Sequence, residues 1–155
     1  MAISASTIRL ATADDLAGLA ILYRQLHPDD PVLRADTLKA NLARLAVMPG
    51  SGVFIALVDT QIVATVTVAI VPNLTRGGRP FALLENVVTH ADFRNQGLGR
   101  HLLSTVIDHA WLADCYKIML LTSSEKPEVL GFYANCGFAN TNTGFEMRRV
   151  SKWQE

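Results

Sequence analysis

Seven residues, Arg94-Asn95-Gln96-Gly97-Leu98-Gly99-Arg100, stand between an apolar run at Phe81–Thr89 and an amphipathic run that follows. A strand, a short glycine-containing turn and a helix N-terminus together make a polyanion-binding site. The first amides of the helix lack partners in the chain, and the helix dipole adds partial positive charge there. Gly97 and Gly99 carry no Cβ, so a phosphate can approach the backbone. Arg94 and Arg100 bracket the turn and can add charge-assisted bonds. The heptapeptide fits a pyrophosphate cradle; it fits a surface turn opening a helix as well. Two nucleotide-binding patterns are disfavoured. A dinucleotide fold wants a third glycine and a place on the first strand, and a Walker loop needs Gly-Lys-Ser/Thr.

Glu85 is the second group with chemical potential. It sits with Asn86 inside an otherwise apolar strand, where an unpaired buried carboxylate is costly. A carboxylate that reaches solvent at the strand end, or pairs with an arginine, satisfies the same pattern. His27, His90, His101 and His109 show no metal-ligand spacing, so no metal is expected. No Gly-x-Ser-x-Gly elbow marks a serine hydrolase.

The elements that must position these groups follow from periodicity. Residues 7–11 alternate as a first strand, and Thr12 reads as an N-cap with Asp14 and Asp15 in the first turn of a helix. Leu16, Leu19, Leu22 and Tyr23 carry that helix until Pro28. A second helix begins at Asp36 or Thr37 and carries Leu38, Leu42 and Leu45. Pro49-Gly50-Ser51-Gly52 breaks the chain. Residues 53–58 and 61–71 are strand-like around a hairpin turn at Asp59-Thr60. In the second of these, Ile62, Ala64, Val66, Val68 and Ile70 share one face, and Thr65 and Thr67 the other. Leu98, Leu102, Leu103, Val106, Ile107, Ala110 and Trp111 form a helical stripe that packs on a sheet. Residues 118–121 read as a short buried strand and residues 129–134 as a short helix. Residues 138–150 are expected to return as antiparallel strands around Thr143-Gly144. The order β-α-α-β-β-β-α-β-α-β-β indicates a mixed α/β sheet with helices on both faces.

The 155 residues fit one domain over 1–155, half of them hydrophobic and 18% charged. Fourteen basic and fourteen acidic residues cancel, so the electrostatic surface that nucleic acid requires is not expected. The longest apolar stretch, residues 62–71, is too short to span a bilayer. The first residues lack the cationic start of a signal peptide. Cys115 and Cys136 fit reduced thiols of a cytoplasmic protein, and neither is given a catalytic role.

Arg94-x-x-Gly97-x-Gly99 resembles the signature of the GNAT superfamily of acetyl-CoA-dependent N-acetyltransferases. Glu85-Asn86-Val87-Val88-Thr89-His90 resembles that family's fourth strand, and residues 131–138, Gly-Phe-Tyr-Ala-Asn-Cys-Gly-Phe, resemble its later aromatic element. The resemblance implies a GNAT-like, mostly antiparallel sheet with helices on both faces. It implies that acetyl-CoA docks on Arg94, Asn95, Gln96, Gly97, Leu98, Gly99 and Arg100. The backbone of Val87, Val88 and Thr89 would bond the pantetheine arm where the strand diverges from its neighbour. Glu85 would be the general base, with a pKa raised by partial desolvation, and Tyr133 the general acid for the departing thiolate. An amine near pKa ~10 must lose a proton before it attacks. Many members carry an asparagine seven residues before the tyrosine, where this chain has Lys126; Ser123, Ser124 or Lys126 could substitute. The acceptor is expected to be a small-molecule primary amine met by Arg24, His27, Asn73 and Arg76. A homodimer is a family expectation. A non-catalytic acyl-CoA sensor, and an enzyme for protein N-termini or lysines, are the alternatives.

Overall fold

The computed structural model describes residues 6–149. Strands β1 (Ser6–Leu10), β2 (Gly52–Val58), β3 (Gln61–Val71), β4 (Phe81–Thr89) and β5 (Lys117–Leu120) form one sheet in sequence order. The first four pair antiparallel, and β5 runs parallel to β4. Helices α1 (Leu16–Leu26), α2 (Ala35–Ala46), α3 (Leu98–Leu112) and α4 (Pro127–Asn135) complete the fold.

Alternation along the strands sends apolar side chains to two cores. On one face, Leu19 and Leu22 of α1 and Leu42 and Leu45 of α2 cover Val53, Ile55, Ile62 and Val88. On the other, Leu98, Leu102, Leu103, Val106 and Ala110 of α3 cover Phe54, Ala56, Val66, Val68, Ala82 and Leu84, with Phe132 and Tyr133 of α4 at the margin. The expected helical stripe of α3 is thus its buried face, except for Ile107, which is half-buried, and Trp111, which is exposed. The β2–β3 hairpin closes at Val58↔Gln61 with Asp59 at φ 52°, a left-handed conformation that aspartate tolerates.

The entry to α1 is tied more tightly than a simple N-cap. Ala13–Asp15 is a 3₁₀ turn. The buried Asp15 carboxylate accepts from Thr12 N at 2.7 Å and from both Arg9 Nη atoms at 2.7 and 2.9 Å. The Arg9 guanidinium, against an opposing desolvation effect, lowers Asp15 to about 2.

The expected strands after α4 are absent among the described residues, and Val150 lies outside them. Residues 140–144, Asn-Thr-Asn-Thr-Gly, favour turns over strands. Beyond them, Phe145 and Met147 stay 92% and 98% exposed. Without a partner strand or a covered face, a strand of this length is not stable. β5 therefore forms the edge of the sheet among the described residues.

Candidate active site

β4 and β5 pair from Phe81↔Lys117 to Leu84↔Leu120, and there the ladder stops. β4 continues to Thr89, whereas the chain after β5 turns away to reach Pro127, the first residue of α4. Residues 85–89 keep β3 on one side and have no β5 residue on the other. This is the divergence that the family resemblance implied.

The β3–β4 ladder is irregular at the same place. Thr65 pairs with Val88 and Thr67 with Glu85, so Asn86 and Val87 together oppose Val66. Two residues against one is a β-bulge, which bends its strand. Asn86 takes φ 52° to make it, one of the few residue types that does so at low cost. Because opposed residues share a face, Glu85 stands with Thr67 on the α1/α2 side of the sheet. It is exposed. The sequence placed Glu85 in a costly, partly desolvated setting; the structure gives it open water, because nothing of β5 lies across from it.

Tyr133 approaches from the opposite face. It is half-buried beside the α3-side core, with Phe132 and Phe138 edge-on at centroid distances of 5.2 and 6.2 Å. Its phenol is held above the usual tyrosine range by burial first, then by Cys136 and by the Glu85 charge. It therefore keeps its proton at neutral pH. Glu85 and Tyr133 therefore lie within electrostatic reach of one another.

The turn after β4 is built as the sequence suggested. Ala91–Phe93 is a 3₁₀ turn, Asn95 and Gly97 have φ 60° and 78°, and α3 starts at Leu98. Left-handed residues among right-handed ones turn successive amides into an anion-binding concavity. Gly97 is the N-cap and supplies no side-chain acceptor, so the first-turn amides of Leu98, Gly99 and Arg100 are left for a ligand. The first intrahelical bond is His101 N to Gly97 O at 2.9 Å. Arg94 Nε donates to Thr89 O at 3.2 Å, and Gln96 Nε2 to Asp92 O at 3.2 Å, which ties the turn to the strand end. Cys136 is half-buried; burial raises the pKa of its thiol and the Arg100 charge opposes that.

The two glycines do different things. A Cβ on Gly97 would meet nothing within 4 Å, so its need is for positive φ and an open approach. A Cβ on Gly99 would lie 2.8 Å from Thr89 Oγ1 and 3.5 Å from the Phe132 ring. Gly99 lets the start of α3 press against the end of β4; it does not open space for phosphate. This corrects the reading of both glycines as phosphate clearance. The open approach at Gly97 and the unpaired first-turn amides of Leu98, Gly99 and Arg100 are what a diphosphate requires.

The four candidate acceptor residues fall in two separate places. Arg24 Nη1 donates to Pro28 O at 2.7 Å and Asp30 O at 3.2 Å, holding the loop after α1, where His27 is exposed. Asn73 Nδ2 bonds Thr75 within the β3–β4 loop. Arg76 stacks 5.9 Å over the Tyr116 ring, at the end of β4 remote from Thr89. Lys126 caps α4, with its amide donated to Ser124 Oγ at 3.3 Å. Sequence reasoning assigned no role to Asn86, whose left-handed backbone makes the bulge in β4.

The acetyltransferase (GNAT) family model matches residues 16–138. A protein assigned as an acetyltransferase from Agrobacterium tumefaciens superposes with a TM-score of 0.87 at 44% identity, covering 92% of this chain and 99% of that one. The glucosamine 6-phosphate N-acetyltransferase of Trypanosoma brucei brucei is 36% identical over 133 residues, 84% of this chain and 87% of that protein. The enzyme of that name from Arabidopsis thaliana shares the fold, with a TM-score of 0.85 at 22% identity over 94% and 99% of the two chains. The chain belongs to the GNAT family of acetyltransferases. It is an acetyl-CoA-dependent N-acetyltransferase.

Proposed function

We propose that this enzyme acetylates the primary amine of a small molecule by direct attack within a ternary complex, and that the acceptor is an amino-sugar phosphate of the glucosamine 6-phosphate kind. The observation that carries the mechanism is the gap after Leu84 and Leu120, with Glu85 at one mouth and Tyr133 at the other. The chemistry of the named relatives supports the acceptor class. In this reading the amides and arginines at residues 94–100 hold the coenzyme diphosphate, and the backbone of Val87, Val88 and Thr89, without a β5 partner, bonds the pantetheine arm. Acetyl-CoA supplies an activated acyl group as a thioester. Glu85, directly or through water, takes the proton that the amine must lose. Tyr133 gives its proton to the sulfur. A thiolate whose acid has pKa near 8.5 leaves readily, so alignment contributes more than acid catalysis.

Arg24, His27, Asn73 and Arg76 remain the candidates for the acceptor's polar groups, divided between two loops. A homodimer and a cytoplasmic setting belong to the same proposal. The first draws on the β5 edge and the exposed Phe145 and Met147, and the second on two free thiols.

The test is thiol release from acetyl-CoA with glucosamine 6-phosphate, an amine panel and lysine peptides. Selective turnover of the sugar phosphate, with initial-rate lines that intersect, is expected. Parallel lines remove direct attack. Equal rates across unrelated amines remove a dedicated pocket. Coenzyme binding with no turnover makes the protein a sensor. Sedimentation as a monomer removes the dimer.

A further inference from the structure

The apolar stripe that seats α1 on the sheet ends in a polar side chain. Leu19 and Leu22 are buried in one core with Val88 of β4. Gln25 stands three residues beyond Leu22, so it lies on the same face one turn further on. There β4 has ended, and the chain has entered the 3₁₀ turn Ala91–Phe93 that leads into residues 94–100. Gln25 Oε1 accepts from Ala91 N at 2.9 Å, a bond between residues 66 positions apart in the sequence. A main-chain N–H only donates, so it is the oxygen of the Gln25 amide that meets it.

The bond meets a specific need. A helical turn begins with amides that have no partner inside it. Phe93 N reaches His90 O at 2.9 Å, which leaves the amides of Ala91 and Asp92. The N-cap of the turn, His90, takes the Asp92 amide on Nδ1 at 3.3 Å. Ala91 N is served by Gln25, from another element. One residue earlier, His90 N still bonds Val63 O of β3 at 2.8 Å. Among the described residues, the other side-chain bonds of this segment, Arg94 to Thr89 O and Gln96 to Asp92 O, join it to itself and to β4. Gln25 is therefore the side chain that fixes the entry to residues 94–100 against α1.

We propose that Gln25 is a positioning residue for acetyl-CoA: by holding Ala91 it keeps residues 94–97 in the bent form that presents the first amides of α3 to the diphosphate. The inference rests on the reading of residues 94–100 as the coenzyme site, and adds to that site a group from α1. Gln25 acts through Ala91 and not on the coenzyme itself. Without its oxygen the Ala91 amide turns to water, and the turn gains freedom that acetyl-CoA must remove on binding. The cost falls on coenzyme affinity. It does not fall on the chemical step, because Glu85 and Tyr133 are carried by β4 and α4. Nor does it fall on the acceptor, because Arg24 still holds the loop after α1 through Pro28 O and Asp30 O.

The experiment titrates the full chain with acetyl-CoA by calorimetry, measures thiol release with glucosamine 6-phosphate, and compares wild type, Gln25→Leu and Gln25→Glu. Leucine has a similar helix preference and no acceptor. Glutamate restores an oxygen at the same reach, with its charge screened at about 0.15 M salt. Gln25→Leu is expected to weaken acetyl-CoA binding and raise its KM about three- to tenfold, with kcat and the amine KM close to wild type. Gln25→Glu recovers most of that loss. A side chain that served stability alone would lower the thermal midpoint and the active fraction, and so kcat, at constant KM. Calorimetry needs no acceptor, so it decides the point whether or not glucosamine 6-phosphate is turned over. Acetyl-CoA affinity of Gln25→Leu within about twofold of wild type, a loss confined to kcat, or no recovery in Gln25→Glu overturns this proposal alone. Wild-type protein that gives no heat with acetyl-CoA overturns the coenzyme reading of residues 94–100 together with it.

Discussion

From Phe81 to Leu84, β4 is hydrogen-bonded on both edges, whereas from Glu85 to Thr89 it keeps only β3. The first half is wholly apolar and the second carries Glu85, Asn86 and Thr89, yet both belong to one unbroken strand. In the first, Ala82 and Leu84 are buried under α3 and the backbone is fully paired. In the second, a bulge at Asn86 and the early end of β5 leave main-chain groups and one carboxylate open to a ligand. A backbone group left unpaired in a folded protein needs water or a ligand as its partner. The site is made by withholding a neighbour from half a strand.

Substitutions in adjacent residues can break this contrast. Glu85→Gln should lower kcat/KM for acetyl transfer by about 10²–10⁴ while leaving the urea midpoint within about 0.5 kcal/mol of wild type. Leu84→Ala, one residue earlier, should cost about 2–5 kcal/mol of stability through the cavity it leaves. Similar stability losses in the two variants would abolish the distinction between the halves. Gly99→Ala brings a Cβ to 2.8 Å from Thr89 Oγ1 and 3.5 Å from the Phe132 ring, so either those side chains or the start of α3 must shift. We expect acetyl-CoA affinity to fall at least about tenfold by calorimetry, and an unchanged affinity would separate the turn from the strand. Tyr133→Phe should reduce kcat by about tenfold or less, because the leaving thiolate needs little help.

The smallest effect lies outside both halves, at Asp15. Its pKa is lowered to about 2 in the fold from an ordinary 3.8. A depressed carboxylate contributes stability that is complete above about pH 4 and is lost as pH falls toward 2. Asp15→Asn should flatten that acid limb in thermal melts at pH 2–5. Arg9 is only partly covered, so screening keeps the gain at neutral pH small. An acid limb of unchanged slope would show that the pair is not the source.

Local signals carried much of this. The apolar run of β4, the glycine turn and the stripe of α3 are each written within a few residues, and the structure has them where the pattern put them. The gap is different. It depends on where β5 ends relative to β4, and their paired residues stand 36 positions apart, as in Phe81 and Lys117. Asn86 announces nothing by type, since asparagine accepts a left-handed backbone anywhere. The role of Gly99 depends on Thr89 and Phe132, which only the packed fold brings to it. The strands expected after α4 failed for a related reason. Alternation at Phe145 and Met147 shows that a segment can pair, but not that the chain offers it a partner.

The two-against-one pairing at Val66 makes Asn86 a supernumerary residue. Count β4 without it and Ala82, Leu84 and Val87 still fall toward α3, while Glu85 and Val88 still fall toward α1. A polypeptide shortened by that single residue would therefore keep its cores and even its acid on the proper side, yet carry a straight ribbon where the bend had been. Deletion of Asn86 is accordingly expected to leave the thermal midpoint near that of wild type while acetyl transfer falls, an outcome that melts and thiol release read side by side.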